Sequence, residues 1–208
     1  MRASITVACA IVVIFTLTAT PGFAQRTTGG IKGGLNLARF SGDDAGDDQE
    51  LLMGYCAGVF IAFNLGDTLA IQPEILYTVK GTKLEAGGII FNETAKATTE
   101  ISYLEIPLLL KLSMSTEGSI IPRLFVGPAA AVKLDAKAKF EYAGISEEED
   151  IENIKDVDFG LVAGAGFDIG VLTVEARYTL GLVSINDTEL EEIDIRNSVF
   201  SVMAGFSF

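Results

Sequence analysis

The amino-acid sequence predicts an all-β fold, in which eight antiparallel strands run up and down to form a closed barrel. Three observations predict it. Apolar residues recur at every second position in eight blocks, and a period of two is strand geometry because successive side chains point to opposite faces of a sheet. The connections between the blocks alternate between short and long. The last block carries its alternation to the C-terminus and ends on Phe208.

The segment before the first block has the pattern of an export signal. Arg2 is followed by an apolar stretch over residues 5–17, then by Pro21 and the small residue Ala24. This stretch is shorter than the roughly 20 apolar residues that a membrane-spanning helix needs, so the pattern favours a cleaved signal peptide. We predict a signal peptide over residues 1–24 and one barrel domain over residues 25–208.

The eight blocks are each close to the roughly 9 to 11 residues that a tilted strand needs to cross a bilayer. They are residues 30–40, 54–64, 68–80, 101–112, 123–134, 157–168, 171–182 and 198–208. Short connections follow blocks two, four and six, and long ones fill residues 41–53, 81–100, 135–156 and 183–197. Short turns at one end and long loops at the other are typical of a transmembrane barrel, with short turns in the periplasm and long extracellular loops.

Alternation alone does not say whether the apolar face points to lipid or to a dry interior, because a soluble lipid-binding barrel has the same period. The opposite face decides, since it carries glycines and charges of both signs: Lys32, Glu74, Glu105, Lys111, Arg123, Lys133, Asp158, Glu175 and Arg177. Side chains just fill the bore of an eight-stranded barrel, and glycines there leave room for long Arg and Glu chains. We therefore predict that apolar side chains face outwards and polar ones inwards.

A buried charge must be paired, because an unpaired one is strongly destabilising. We expect a network centred on Glu74, Glu105, Arg123, Glu175 and Arg177 to plug the lumen. The favoured interpretation is that these pairs specify the fold. The alternative, a proton or ion path, is disfavoured because eight strands leave no continuous channel.

Three prolines lie inside the predicted strands, at Pro73, Pro107 and Pro128. A closed sheet has no free edge to hold a residue that lacks a backbone N–H. We therefore expect β-bulges at these positions.

Several motifs together resemble a known family. They are QPEILYTVKG (residues 72–81), YLEIPLLLK (103–111), VGPAA (126–130), DFGLVAGAGFDI (158–169), EARYTLGL (175–182) and the terminal Phe208. In this order they resemble the PorT-like outer membrane beta-barrel domain proteins common in Bacteroidetes. The resemblance implies an eight-stranded barrel in the outer membrane and implies no reaction. One branch of that family serves the type IX secretion system. Outer-membrane barrels in general also present a terminal phenylalanine to the barrel assembly machinery.

Composition excludes several kinds of chemistry. The chain has no histidine, which removes Ser-His-Asp and Cys-His nucleophile pairs and the usual zinc and iron sites. Its formal net charge of -13 excludes nucleic acid as a partner. Cys56 is the only cysteine beyond the predicted signal peptide, so a disulfide within the chain is excluded. We predict no catalytic, cofactor-binding or metal-binding residues and no cofactor.

Carboxylates concentrate in three of the long connections. They are Asp43, Asp44, Asp47, Asp48 and Glu50 in the first; Glu147, Glu148, Glu149, Asp150 and Glu152 in the third; and Asp187, Glu189, Glu191, Glu192 and Asp194 in the fourth. The favoured interpretation is a solvated, repulsive and partly disordered loop surface. A calcium-binding crown is the alternative, although no spacing matches a calcium-binding loop.

These observations predict a non-enzymatic integral outer-membrane barrel with a structural or surface-interaction role. Its expected partners are outer-membrane lipids and, through the C-terminal strand, the barrel assembly machinery. Two alternatives stay open: an accessory of a secretion or transport complex of the type IX kind, and a soluble exported lipid-binding barrel.

Overall fold

The computed structural model describes residues 27–45, 49–87, 94–114, 118–142, 145–151, 154–186 and 194–208. The strands in these ranges are β1 (Thr27–Ser41), β2 (Gln49–Glu50), β3 (Leu52–Asn64), β4 (Leu69–Gly87), β5 (Thr94–Ser113), β6 (Ile120–Tyr142), β7 (Ile145–Asp150), β8 (Val157–Ile169), β9 (Leu172–Gly181) and β10 (Arg196–Ser207). No described helix is long and apolar enough to cross a membrane. The predicted signal peptide, residues 1–24, lies outside the described residues.

Eight of these strands pair antiparallel in a closed ring, in the order β1, β3, β4, β5, β6, β8, β9 and β10. β10 closes the ring by pairing with β1 in unbroken register from Gly30–Ser207 to Ser41–Arg196. The two remaining strands are short additions, with β2 paired to β4 and β7 paired to β6. The predicted eight-stranded, up-and-down barrel is therefore confirmed.

Three strands are longer than the sequence predicts. β4 and β5 stay in register as far as Gly87–Thr94, and β6 continues to Tyr142 and folds back as β7. Residues 81–87, 94–100 and 135–142, together with β7, form an extension that we call the protruding sheet. The prediction of loops over residues 81–100 and 135–156 is wrong in these parts. Beyond the bilayer a strand no longer needs an apolar outer face, so the alternating signal fades although the pairing continues.

The three prolines lie in ladders that keep the same register on both sides of each proline, so the expectation of bulges is wrong. Each proline coincides with a short interruption of pairing to one neighbour: β3 at Pro73, β4 at Pro107 and β5 at Pro128. The pairing to the other neighbour continues there, because a proline lacks one N–H and each N–H in a strand serves only one side. The predicted strands therefore stand without bulges at the prolines.

One register shift does occur in the β5–β6 pairing, between Ser102 and Tyr103. It lies where the protruding sheet leaves the barrel. On β6 the inward-facing positions are Phe125, Ala129 and Ala131 below the shift, and Ala136 above it. Because β6 has one extra residue here, its inward-facing positions change from odd-numbered below the shift to even-numbered above it.

The exposure of the side chains confirms the predicted orientation of the two faces. The outward residues Leu108, Val174 and Phe206 are 50%, 48% and 45% exposed. The inward residues Glu74 and Arg177 are 1% and 3% exposed. The ionic side chains therefore lie in the bore, and apolar side chains cover the outside of the barrel.

Candidate functional site

The middle of the lumen holds a cluster of four charges, two of each sign, supplied by β1, β4 and β9. The Lys32 Nζ lies 2.7 Å from Glu74 Oε1 and 2.8 Å from Glu175 Oε1. Arg177 donates from Nη1 to Glu74 Oε2 at 2.9 Å, and its Nη2 also pairs with Glu175. All four side chains are at most 2% exposed. Each charge is thus compensated in place, which burial requires.

Aromatic rings also enter the lumen and pack against this central cluster, although the sequence did not predict them there. The Lys32 Nζ lies 5.0 Å from the centre of the Phe60 ring, and the Arg177 guanidinium lies 5.5 Å from that of Phe125. A Cβ at Gly164 would lie only 2.4 Å from the Phe125 ring. The lumen glycines therefore make room for rings as well as for the long charged chains that the sequence predicted.

A second cluster lies nearer the end of the barrel that carries the long connections, which we call the loop end. Lys80 forms an ion pair with Glu105, and its Nζ lies 3.9 Å from Asp158 Oδ2. Asn197 donates from Nδ2 to Asp158 Oδ2 at 2.8 Å and to the Tyr103 hydroxyl at 3.3 Å. One ammonium thus serves two carboxylates in this upper cluster, whereas the central cluster is balanced.

A third pair lies near the opposite end, which carries the short turns and which we call the turn end. There Arg123 Nη2 approaches Asp168 Oδ2 at 2.5 Å. Thr173 donates to the other oxygen of Asp168 at 2.9 Å. The predicted single network is therefore divided. The structure brings Glu74, Glu175 and Arg177 together, but it places Glu105 in the upper cluster and Arg123 in this lower pair.

Lys80 and Asp168 are not part of the network predicted from the sequence, although both lie at the last position of a predicted block. Lys80 has the same parity as Glu74 on β4, and Asp168 has the same parity as Asp158 on β8. Strand parity could therefore have identified both. Which carboxylate each cation contacts could not be found this way, because it depends on the register between strands that are distant in sequence.

An apolar cluster covers the loop end of the lumen, above the layers of charged side chains. Its buried members are Ile101, Tyr103, Ala131, Ala136, Ile154 and Ile185, and Phe40, Ile151 and Ile195 pack against it. We call it the isoleucine cap. Ile185 donates its N–H to the Ile195 carbonyl at 2.8 Å and accepts from the Lys155 N–H at 2.8 Å, so the long connections fold across the mouth. Single isoleucines within otherwise acidic segments are the sequence feature that could have predicted this cluster.

Little free volume is left between the central and upper clusters. A cavity of about 10 Å³, close to the space of one water molecule, lies beside Cys56 and Asn36. Asn36 donates to the Thr78 hydroxyl at 2.9 Å and accepts from the Ser201 hydroxyl at 2.8 Å. Within the described ranges, no group of three or more His, Cys, Asp or Glu side chains could hold a metal ion.

The outer surface of the barrel carries an apolar belt with aromatic side chains near both edges. Towards the loop end lie Tyr55, Tyr77, Phe159, Tyr178 and Phe200. Towards the turn end lie Phe63, Phe167, Phe206 and Phe208. The rings of Tyr55 and Tyr77 are 5.8 Å apart, and the Tyr77 hydroxyl shares a hydrogen bond of 2.9 Å with Ser102. Aromatic girdles of this kind mark the two interfaces of a bilayer.

The acidic segments are only partly described, since Asp47, Asp48, Glu152 and residues 187–193 lie outside the described ranges. Residues 147–150 form most of β7, which corrects the prediction of a partly disordered loop there. Glu148 accepts a hydrogen bond of 2.7 Å from Lys137 on β6. This hydrogen bond lowers the pKa of the Glu148 carboxyl and raises the pKa of the Lys137 ammonium.

A closed ring of eight strands, an apolar belt between aromatic girdles and a closed bore that buries charges of both signs together define an integral outer-membrane β-barrel. The inward charges exclude the soluble lipid-binding barrel, which needs an apolar interior. The chain belongs to the outer membrane protein beta-barrel domain family, whose model matches residues 23–187. No curated protein matches the sequence.

Three solved structures illustrate the likeness. The chain is 16% identical to the attachment invasion locus protein Ail of Yersinia pestis, over 88% of this chain and 99% of that chain, with a TM-score of 0.42. For Neisserial surface protein A the identity is 12%, the coverage 86% and 97%, and the TM-score 0.49. For OprG of Pseudomonas aeruginosa these values are 15%, 88% and 94%, and 0.45.

Proposed function

We propose that this outer-membrane barrel is not an enzyme and that it presents the protruding sheet at the cell surface for interaction with other molecules. The observation that carries this proposal is the continued pairing of β4, β5 and β6 beyond the apolar belt. Seven further residue pairs at about 3.3 Å per residue extend the β4–β5 hairpin by roughly 20 Å along its strands. The anchoring partner is the lipid around the belt.

Labelling of single cysteines tests this arrangement. Native Cys56 is 4% exposed in the lumen and provides a low background. A Thr98→Cys variant places a thiol on the protruding sheet, and a Ser119→Cys variant places one beside the short turn before β6. We expect a membrane-impermeant maleimide to label Thr98→Cys on intact cells and Ser119→Cys only after the outer membrane is opened. The reverse pattern would contradict the proposed orientation.

The absence of enzyme activity is a separate part of the proposal, supported by the closed lumen and by the pairing of its carboxylates. Replacement of Glu105 or Glu175 by Gln is expected to lower heat stability without removing any turnover. Loss of a measured turnover in a variant that remains folded would contradict this.

We also propose that the chain belongs to the PorT-like branch, on the support of the ordered motifs from residue 72 to residue 182 and the terminal Phe208. A role as an accessory of a secretion or transport complex is the narrower form of this proposal. Affinity purification from mildly solubilised membranes tests it. Co-purification of periplasmic or secretion components would support the accessory role, and a solitary monomer in detergent would contradict it.

A further inference from the structure

The protruding sheet has two faces of different chemistry. In the β4–β5, β5–β6 and β6–β7 pairings, Leu84 lies opposite Ala97, Ala97 opposite Phe140, and Phe140 opposite Glu147. Residues that lie opposite each other in a ladder share a face of the sheet. Leu84 has the parity of Lys80, which points into the lumen, so this row lies on the face that continues the lumen wall. We call it the inner face.

The outer face of the protruding sheet carries charges of both signs, several of them paired. Lys139 Nζ lies 3.1 Å from Glu100 Oε2, and Lys137 Nζ lies 2.7 Å from Glu148 Oε1. Because Glu148 points outwards, its neighbours Glu147 and Glu149 point to the inner face. Glu100 and Glu148 on the outer face of the described sheet therefore each have a lysine partner.

The inner face lacks this compensation. At the described inner-face positions of the protruding sheet there is no lysine or arginine, and Glu147 and Glu149 form no ion pair there. Phe140 is 51% exposed and Leu84 is 43% exposed. Ile101 and Ala136, lower on the same face, are buried as members of the isoleucine cap. The apolar surface thus continues past the cap and ends uncovered.

Neither lipid nor edge protection accounts for this surface. Phe140 lies six residues beyond Leu134, the last outward residue of the apolar belt on β6, which is roughly 20 Å further along the strand at about 3.3 Å per residue. Charged residues on an edge strand commonly prevent edge-to-edge pairing, which explains carboxylates on β7. It does not explain the row of Leu84, Ala97 and Phe140 beside them on the same face, whose two large apolar side chains are exposed. Such a row can pack against the apolar side chains of a partner.

We propose that the inner face of the protruding sheet docks a cationic, amphipathic polypeptide segment. Its apolar side chains lie on Leu84, Ala97 and Phe140, and its basic side chains face Glu147 and Glu149. The chemistry of the partner follows from complementarity, because the surface is apolar at its centre and carries uncompensated negative charge at its β7 edge. This inference rests on the proposed function, since it needs the sheet to lie outside the membrane.

The test uses the full barrel in nanodiscs of zwitterionic lipid and fluorescence anisotropy. The probe is a labelled synthetic peptide of alternating Leu and Lys, compared with a Ser–Lys peptide of equal charge and with empty nanodiscs. We expect the Leu–Lys peptide to bind the wild-type barrel in preference to both controls. Phe140→Ser, or Leu84→Ser if the first variant does not fold, is expected to weaken binding about tenfold, as loss of a central apolar contact does.

A matched pair of double variants tests the charges. Glu147→Gln with Glu149→Gln removes two inner-face charges, and Glu141→Gln with Asp150→Asn removes two outer-face charges. We expect only the inner-face pair to weaken binding and to reduce its salt dependence. Equal weakening by both pairs, equal binding of the Ser–Lys peptide, or a homodimer that Phe140→Ser abolishes would overturn the inference. Absence of peptide binding would also overturn it, while the surface labelling of Thr98→Cys separately decides the proposed function.

Discussion

Arg177 on β9 and Glu74 on β4 meet in the middle of the lumen, where Nη1 of the guanidinium lies 2.9 Å from Oε2 of the carboxylate. The two residues are 103 positions apart in the sequence, and neither side chain is more than 2% exposed. Their strands are not neighbours in the ring, so this pair connects opposite parts of the barrel wall through its interior. The pair therefore forms only when the ring is closed.

Glu74→Gln is expected to destabilise the barrel strongly. The variant leaves Lys32 and Arg177 with Glu175 as the only carboxylate of the central cluster, and removal of one partner of a buried pair costs about 3 to 5 kcal/mol. The measurement is the midpoint of heat unfolding, followed by the shift in gel mobility. Glu100→Gln is the control, because its pair with Lys139 is exposed and contributes about 1 kcal/mol or less. Equal midpoints for the two variants would contradict the prediction.

Asp158→Asn is expected to be much milder than Glu105→Gln. The upper cluster has two carboxylates on Lys80, so the asparagine variant leaves one balanced ion pair and keeps an oxygen that can accept from Asn197. The Glu105→Gln variant removes the closer partner of Lys80 and leaves only the contact at 3.9 Å. The same unfolding assay checks this order. A midpoint for Asp158→Asn as low as that for Glu105→Gln would contradict the prediction.

The pairing of β7 with β6 should depend on pH through Glu148 and Lys137. The pKa of Glu148 is lowered in the folded chain, so its contribution is present above its unfolded pKa of about 4.3 and is lost as the pH falls through the folded value. The pKa of Lys137 is raised, so its contribution is present below about 10.4 and is lost as the pH rises through the folded value. Between these limits both contributions are present.

Hydrogen exchange of the β7 amides measures this dependence. Near pH 7, Glu148→Gln should lower the protection factors of β7 relative to the wild type. As the pH falls through the lowered pKa of the Glu148 carboxyl, the difference should shrink and then disappear, because the wild-type carboxyl takes up a proton there. Glu141→Gln on the neighbouring strand is the control. A difference that persists unchanged at the lower pH would rule out Glu148 as the group responsible.

Phe208→Ala is expected to reduce the amount of barrel in the outer membrane severalfold without changing the stability of the folded protein. The Phe208 side chain is 78% exposed, and the residue is held by backbone hydrogen bonds with Gly29 that alanine preserves. A loss that occurs in cells but not during refolding in detergent would indicate recognition of the ring by the assembly machinery. Equal losses in both settings would indicate a structural role instead.

The sequence by itself determined the strands of the barrel and the direction of each face. Lipid contacts one face of each strand and the bore lies behind the other, so apolar and polar residues alternate along the strand. This alternation can be seen within a single segment, as in residues 172–182. The same rule identified Glu74, Glu175 and Arg177 as lumen residues. It could not assign their partners, and it placed Glu105 and Arg123 in the same network as these three.

Only the tertiary structure decided the rest. The division of the charges into three layers depends on the register between strands such as β4 and β9, and on rings such as Phe125 that enter the bore. The isoleucine cap joins Ile101 to Ile154 and Ile185 across long stretches of chain. The protruding sheet went unrecognised because water on its outer face removes the need for an apolar alternation. Local sequence patterns predict whether each face of a strand contacts lipid, water or the lumen. Contacts between residues that are distant in the sequence form only when the ring closes, so those patterns do not predict them.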